Sequence, residues 1–399
     1  MSNEEFIEVK EGLVKLLVPN PELFKRSDGV YEPSWAPVFY NPRMTFNRDL
    51  SVIILQALTN LSYLRDVLVL DALAGTGVRG LRYVKEVNGV NTSLINDIDP
   101  LAYKLMVKNI ELNGLKDRVK AYNKDANILM NELKLSKVKV NFIDIDPFGS
   151  PIPYLQSALW LVTKDGVLAV TATDTAVLTG KHAHALLKKY RAIGFKTDFK
   201  NEFAARVLLS SIAFRASEMD KYIVPLFTIS TEHYVRVFVK VGKGGKKAYD
   251  MVKNKVGYVH YCTKCCYRVF VGIDEEVGGV CPYCGGKLAR LGPLWISSLY
   301  DEQLVKGVDP DLLRRFSYVS TYIKLTKFLK FVRYEYSINQ PYYSLPKLCS
   351  NLGINIPKLS KVIECLRNAG YSASRTHMDQ QGIKTDAPYG ELIKCVKGL

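Results

Sequence analysis

Val67-Leu68-Val69-Leu70-Asp71-Ala72-Leu73-Ala74-Gly75-Thr76-Gly77-Val78-Arg79-Gly80 joins a strand-length apolar run to a helical pattern through closely spaced glycines. Glycines at 75, 77 and 80 let backbone approach a ligand lying in the crevice beyond a parallel sheet. The spacing suits a dinucleotide as well as S-adenosylmethionine, and it also occurs in tight strand-to-helix turns that bind nothing. The preceding residue separates these readings. Asp71 would repel a pyrophosphate and attract a cationic methionine moiety.

The same alternation continues outward from this stretch. Val67 to Leu70, Ser93 to Asn96, Val119 to Tyr122, Val140 to Ile145 and Val167 to Thr171 read as strands, and segments such as Pro100 to Leu112 read as helices. A βαβ series of this kind predicts an α/β fold, an open parallel sheet with helices on both faces. Further strands at Ile223 to Ser230 and Tyr234 to Val241 are close enough to form an antiparallel hairpin at the sheet edge. Gly242-Lys243-Gly244-Gly245-Lys246-Lys247 is short, flexible and charged, and is the expected boundary between a first domain over 1–243 and a second over 244–399. In the second, a cysteine module occupies about 256–292 and a helical part about 300–399. Ser344 to Leu352 and Pro357 to Ala369 read as two helices joined by Gly353-Ile354-Asn355-Ile356, with extended sequence from Tyr371 onward. Two short helices before a hairpin predict a winged-helix-like part of a smaller α+β domain. No long repeat or low-complexity tail is present.

Chemistry-bearing residues fall at successive strand ends. Asp97 closes the second strand, where a carboxylate can accept bonds from ribose hydroxyls, and Asp125, followed by Ala126, closes the third, where it can take an adenine amine. A solvated loop aspartate is the plain alternative for any one of them, but three at consecutive strand ends point to one ligand. The fourth strand runs into Asp146-Pro147-Phe148-Gly149. A carboxylate beside a rigid proline and an aromatic ring suits a planar heterocycle carrying an exocyclic amine. Asp146 can accept one N–H and later its proton, the Pro147 carbonyl can accept another, and Phe148 can stack on the base.

Composition limits the partners. With 55 Lys and Arg against 39 Asp and Glu, the net charge of +16 favours a polyanion such as nucleic acid, or, alternatively, a lysine-rich solvated surface. No apolar run reaches bilayer length and the opening Met1-Ser2-Asn3-Glu4-Glu5 is acidic, so a cytoplasmic protein with no membrane association is expected, and no protein partner is implied. Cys262-x-x-Cys265 and Cys281-x-x-Cys284, with fifteen residues between them, predict four thiolates on a structural zinc. Cys266 is a spare that could replace Cys265. Cys349, Cys365 and Cys395 sit on apolar patterns and read as packing residues. The five histidines do not read as ligands.

The strand-end acids in this order resemble the class I, Rossmann-like methyltransferases over the first 240 residues or so. Amino-methyltransferases in general carry Asp or Asn, Pro, Pro and an aromatic; here the aromatic comes one place early and Gly149 follows. That version resembles the tRNA (guanine-26-N2)-dimethyltransferase family, archaeal type. Phe39-Tyr40-Asn41-Pro42, Asn47-Arg48-Asp49, Pro225-Leu226, His233-Tyr234-Val235-Arg236-Val237-Phe238-Val239, Arg375-Thr376-His377 and Gly382-Ile383-Lys384-Thr385-Asp386-Ala387-Pro388 extend the resemblance along nearly the whole chain. It implies stepwise dimethylation of the exocyclic amine of guanine 26 in tRNA by two molecules of S-adenosylmethionine. It further implies that Asp146 is the catalytic acid, that Phe148 and Phe39 lie around the target base, and that Arg48 borders the cofactor with Asp71, Asp97 and Asp125. The competing expectations are methylation of another RNA or DNA base, a noncatalytic RNA-binding protein on the same fold, and a nicotinamide oxidoreductase resting on the glycine loop alone.

Overall fold

The computed structural model describes residues 5–231, 233–276 and 278–398. Internal contacts divide the chain into two compact units. The first holds the chain through Pro147 with Gln156–Val170 and Lys306–Lys327, and the second holds Phe148–Leu155, Thr171–Val305 and the chain from Phe328.

The first unit opens with an antiparallel hairpin, β1 (Phe6–Glu11) and β2 (Val14–Pro19), pairing Phe6 with Pro19. Helix α1 (Thr45–Asn60) is buried from Phe46 to Leu58, its charged residues included. Then come β3 (Val67–Asp71), α2 (Val78–Glu86), β4 (Val90–Asn96), α3 (Pro100–Leu112), β5 (Val119–Tyr122), α4 (Ala126–Leu135), β6 (Phe142–Ile145), α5 (Ile152–Leu161) and β7 (Gly166–Ala172). The strands lie parallel in the order β5-β4-β3-β6-β7. The chain moves from β3 to one side and returns at β6 to build the other, so β3 and β6 flank the switch point where open α/β sheets bind ligands. The helices start where the sequence supplies caps. Asp99 accepts from Leu101 N at 2.8 Å ahead of Pro100, and Asp125 accepts from Asn127 N and Ile128 N at 2.8 and 3.1 Å.

The buried charges between the hairpin, α1 and α2 are paired. Arg82, fully buried on α2, donates to Glu86 (2.8 and 3.0 Å), Glu11 (2.9 Å) and Asp49 (2.6 Å), while Arg48 donates to both oxygens of Glu11 at 2.6 Å. Burial acts to raise the Glu11 carboxyl, but Arg48 and Arg82 outweigh it and hold it at about 2. The N-terminal hairpin is thereby fastened to α1 and α2.

The second unit is built round α8 (Lys200–Ser217), preceded by α6 (Thr175–Leu178) and α7 (Ala183–Tyr190) and followed by the antiparallel pair β8 (Lys221–Ser230) and β9 (Val235–Lys243). Only Gly244 separates β9 from α9 (Gly245–Lys255), so the stretch read as a flexible linker is a direct passage from strand to helix. Its φ of +148° is open to glycine, which explains the glycine-rich composition without a break in the structure. Next come β10 (Val256–Cys262), β11 (Arg268–Gly272) and β12 (Leu288–Trp295), antiparallel in the order β11-β10-β12. Helix α8 ties these together: buried Arg206 donates to Glu202 on the same helix, to the carbonyls of Trp295 (2.9 Å) and Ser297 (3.0 Å), and to that of Asn339.

Helices α10 (Glu302–Gly307), α11 (Pro310–Arg315) and α12 (Tyr322–Glu335) lead to β13 (Tyr343–Ser344), α13 (Leu345–Leu352), α14 (Leu359–Asn368), β14 (Ala373–Arg375), β15 (Gly382–Thr385) and α15 (Tyr389–Lys397). The short sheet runs β13-β15-β14, so helix, strand, two helices and a hairpin follow one another as in a winged helix, as expected. Lys384 on β15 reaches Glu202 of α8 at 3.1 Å. No described helix is long and apolar enough to cross a membrane.

Candidate active site and metal centre

Each glycine of the loop after β3 has its own reason. Gly75 has φ +54°, and a Cβ there would meet the Phe39 carbonyl oxygen at 2.8 Å; Gly77 has φ +81° and caps α2. At Gly80 a Cβ would stand 2.1 Å from Ile95 Cγ2, so this glycine sets the close packing of α2 on β4. Gly75 N donates to Asp97 Oδ2 at 2.8 Å, and Asp97 Oδ1 takes Asp99 N at 3.0 Å. Burial raises the Asp97 carboxyl, partly offset by these backbone donors. Buried Asn96, which sequence reasoning passed over, donates to Ala72 O (3.1 Å) and Lys124 O (2.9 Å) and accepts from Lys124 N. It stitches the ends of β3, β4 and β5 and so brings the Gly75 loop, Asp97 and the Asp125-Ala126 turn together. One oxygen of Asp125 is engaged in capping α4, and Ala126 is buried.

Around the switch point three carboxylates share one guanidinium. Arg79 donates through Nε (2.9 Å) and Nη2 (2.5 Å) to Oδ2 of Asp146, through Nη2 to Asn47 Oδ1 (2.8 Å) and through Nη1 to Ser51 Oγ (3.3 Å). Burial opposes the charge on Arg79, but Asp146 and Asp144 outweigh it and push its pKa well above the ordinary value. Asp144, fully buried on β6, accepts from Tyr83 OH at 2.6 Å. Asp71 is buried as well and accepts from Gly80 N at 3.2 Å; burial, then the neighbouring Asp144, push its carboxyl up to about 8. Asp71 therefore keeps its proton near neutral pH, and a cation bound beside it would favour its ionised form. Thr76 Oγ1 and Asn47 Nδ2, both buried, have no hydrogen-bond partner among the described residues. A buried carboxyl that a cation would ionise, unsatisfied polar atoms and a glycine loop too close to Phe39 for a side chain fit a cationic nucleoside ligand.

Asp146 and Pro147 follow β6 directly. Phe148 is 80% exposed, and Gly149 has φ +100° and is fixed by Thr173, whose Oγ1 accepts Gly149 N at 2.7 Å while its N donates to Gly149 O at 2.9 Å. Ser150 Oγ bonds Tyr190 OH, which donates to Asp174 Oδ1 at 2.6 Å. Phe39 is exposed and its carbonyl lies over Gly75. The guanidinium of Arg48 is engaged by Glu11, the Asn41 carbonyl (3.1 Å) and Thr45 Oγ1, which places it in the framework beneath Phe39-Tyr40-Asn41.

The second unit gathers Cys262, Cys265, Cys281 and Cys284, with all four Sγ atoms within 4.8 Å of one another. Cys262–Cys284 and Cys265–Cys281 stand 3.4 and 3.6 Å apart, near the edge of about 3.8 Å that a tetrahedron with Zn–S bonds of ~2.3 Å requires. The two turns repeat each other. Cys266 N donates to Cys262 O and Gly285 N to Cys281 O, with φ of +64° and +66° at the donor residues. Cys266 therefore fills the left-handed position that glycine holds in the sister turn, and its sulfur meets Tyr261 OH and Asn351 Nδ2 instead of the other thiols. The reading of Cys365 and Cys395 as packing residues is corrected: they form a disulfide between α14 and α15, 30 residues apart in sequence. Cys349 is a free, buried thiol, as a packing residue would be.

Residues 18–397 match the family model described as N2,N2-dimethylguanosine tRNA methyltransferase. A tRNA (guanine(26)-N(2))-dimethyltransferase of Saccharolobus solfataricus is 39% identical over 393 residues, covering 98% of this chain and 99% of that protein. One from Metallosphaera sedula is 40% identical over 391 residues, covering 98% and 96%. The solved structure of Trm1 from Pyrococcus horikoshii with S-adenosyl-L-methionine superposes with a TM-score of 0.82 at 33% identity, covering 98% of this chain and 99% of that one.

Proposed function

Because the chain belongs to the N2,N2-dimethylguanosine tRNA methyltransferase family, we infer that it is an S-adenosylmethionine-dependent enzyme that mono- and dimethylates N2 of guanine 26 in tRNA. The observation that carries this to residues is the Asp146-Pro147-Phe148-Gly149 turn directly after β6, beside the strand that ends in the glycine loop. S-adenosylmethionine, when bound, supplies an electrophilic methyl group on a sulfonium. Asp71, which ionises against a bound cation, favours its cationic end, Gly75 and Gly77 allow close approach, Asp97 takes ribose hydroxyls, and Asp125 with Ala126 receives the adenine. Arg48 supports this site through the segment that carries Phe39.

An arylamine is a poor nucleophile because its lone pair is delocalised into the ring. Asp146 accepts one N–H of the guanine amine and the Pro147 carbonyl accepts the other, which pulls the lone pair out of conjugation and aims it. Phe148, exposed and two residues after Asp146, stacks on an extruded base, whose unstacking costs a few kcal/mol, and Phe39 is assigned to the same base by family resemblance alone. Every residue assigned to the transfer lies within 1–243, and residues 244–399, with a structural zinc on Cys262, Cys265, Cys281 and Cys284, grip tRNA in the cytoplasm. A closed thiolate set leaves the metal no position for substrate, so its part is to hold the two turns together.

Incubation of unmodified tRNA transcript with labelled S-adenosylmethionine, followed by nucleoside mass analysis, tests the reading. Dimethylguanosine mapping to position 26 is expected. N6-methyladenosine, or binding of tRNA with no product, would overturn it. Metal analysis of the purified protein should give one zinc per chain.

A further inference from the structure

Arg79 bonds Asp146 in a particular way. A guanidinium fork can engage both oxygens of a carboxylate, but here Nε and Nη2 converge on Oδ2 alone, and Oδ1 has no hydrogen bond among the described residues. Arg79 is itself held from behind by α1, through Asn47 Oδ1 and Ser51 Oγ; Ser51 in turn donates to Asn47 O at 2.6 Å. The Arg79 side chain is 5% exposed and that of Asp146 19%, so the guanidinium lies inside and the carboxylate reaches the surface of the unit. Resting on the reading of Asp146 as the acceptor, we propose that Arg79 is a positioning residue that presents Oδ1 of Asp146 to the guanine amine, and that it governs the second methyl transfer more than the first.

The asymmetry follows from counting N–H groups. The primary amine has two, and two acceptors share the task of orienting it. In the monomethylated amine one N–H remains, so its lone pair is aimed by a single hydrogen bond. At each transfer the N2 lone pair forms the new N–C bond as the methyl–sulfur bond breaks, with that bond's electron pair left on sulfur, and the N2 proton passes to Oδ1 and from there to solvent. A carboxylate free to swing still finds one N–H of two in the first step, but misaims the only one in the second.

The test uses the full chain as wild type, Arg79→Lys, Arg79→Ala and Asn47→Ala, with single-turnover time courses on unmodified and on monomethylated tRNA. Dimethylguanosine from the wild type checks the underlying reading separately. A lysine cannot hold Oδ2 with two parallel donors while keeping Asn47. Arg79→Lys is therefore expected to slow the first transfer about tenfold and the second about a hundredfold, the loss expected of a small misplacement, so that product stalls at monomethylguanosine. S-adenosylmethionine affinity should change far less. Added guanidinium, below concentrations that unfold the wild type, should restore the second transfer in Arg79→Ala. If Arg79→Ala does not fold, Arg79→Lys and Asn47→Ala decide alone. Equal slowing of the two transfers, or an unchanged ratio of dimethyl to monomethyl product, overturns the proposal.

Discussion

The pH dependence of cofactor binding tests the electrostatics of the site most directly. Asp71 is buried next to Asp144, and its carboxyl is pushed up to about 8 although Arg79 pulls the other way. In the free protein it is therefore neutral at pH 6 to 7. A cation bound against it favours the ionised form, so binding expels a proton. With that pKa, the ionised fraction grows about ninefold between pH 6 and pH 7, and affinity for S-adenosylmethionine should rise by the same factor, with about 0.9 proton released per site at pH 7. The ligand's own α-amino group, whose pKa is roughly 7.7–8.0, titrates in the same range, so comparison with Asp71→Asn assigns the trend to the protein. The stability of the free protein runs the other way. The native state keeps a proton that the unfolded chain has lost, so Asp71 makes stability fall as pH rises from the ordinary carboxylate value toward 8. Calorimetric titration in two buffers of different ionisation enthalpy gives both affinity and proton count. Asp71→Asn should bind with no pH trend and no buffer-dependent heat. A wild type whose affinity is flat from pH 6 to 7, with no proton release, would refute the assignment of Asp71 to the cationic end of the ligand.

Gly75→Ala forces a side chain into the left-handed region, at about 1 kcal/mol, and against the Phe39 carbonyl; cofactor affinity should drop at least about tenfold while the melting temperature falls only slightly, both measurable by thermal shift with and without ligand. Cys395→Ser opens the loop closed by the bridge to Cys365 and should cost about 3–4 kcal/mol by denaturant titration under non-reducing conditions, a difference that disappears when the wild type is reduced. On α12, Lys327 and Lys330 are exposed on the same side as Ile323 and Tyr334. The double change Lys327→Glu and Lys330→Glu should raise KM for tRNA with kcat preserved and flatten its salt dependence by about two units of log–log slope, whereas unchanged tRNA kinetics would remove this face from the contact.

The sequence was most informative where a local signal is also the structural cause. β3, β5 and α3 lie close to where periodicity placed them because buried parallel strands are continuous apolar runs and Asp99-Pro100 starts a helix by its own chemistry. Helix α8 escaped notice for the opposite reason: it is buried on nearly every side and carries Glu202 and Arg206 inside, so it shows no apolar stripe. The Gly242–Lys247 stretch shows the reverse error, since glycine and lysine there serve one unusual φ and a solvated helix start. Asp71, Asp97, Asp125 and Asp146 were legible because strand ends can be counted along the chain. Arg79 was not, since its partners Asp146, Asn47 and Ser51 lie 67, 32 and 28 residues away and nothing local marks the residue that will meet them. Cys266 could be understood only after its turn was set beside the one containing Gly285. The strand-end acids are thus written into the order of the strands, whereas the groups bonded to Asp146 from behind arise from how α1 and α2 pack on that sheet. Substitutions at Asn47, Ser51 and Arg79 should accordingly leave the fold recognisable in the sequence while changing what the site makes.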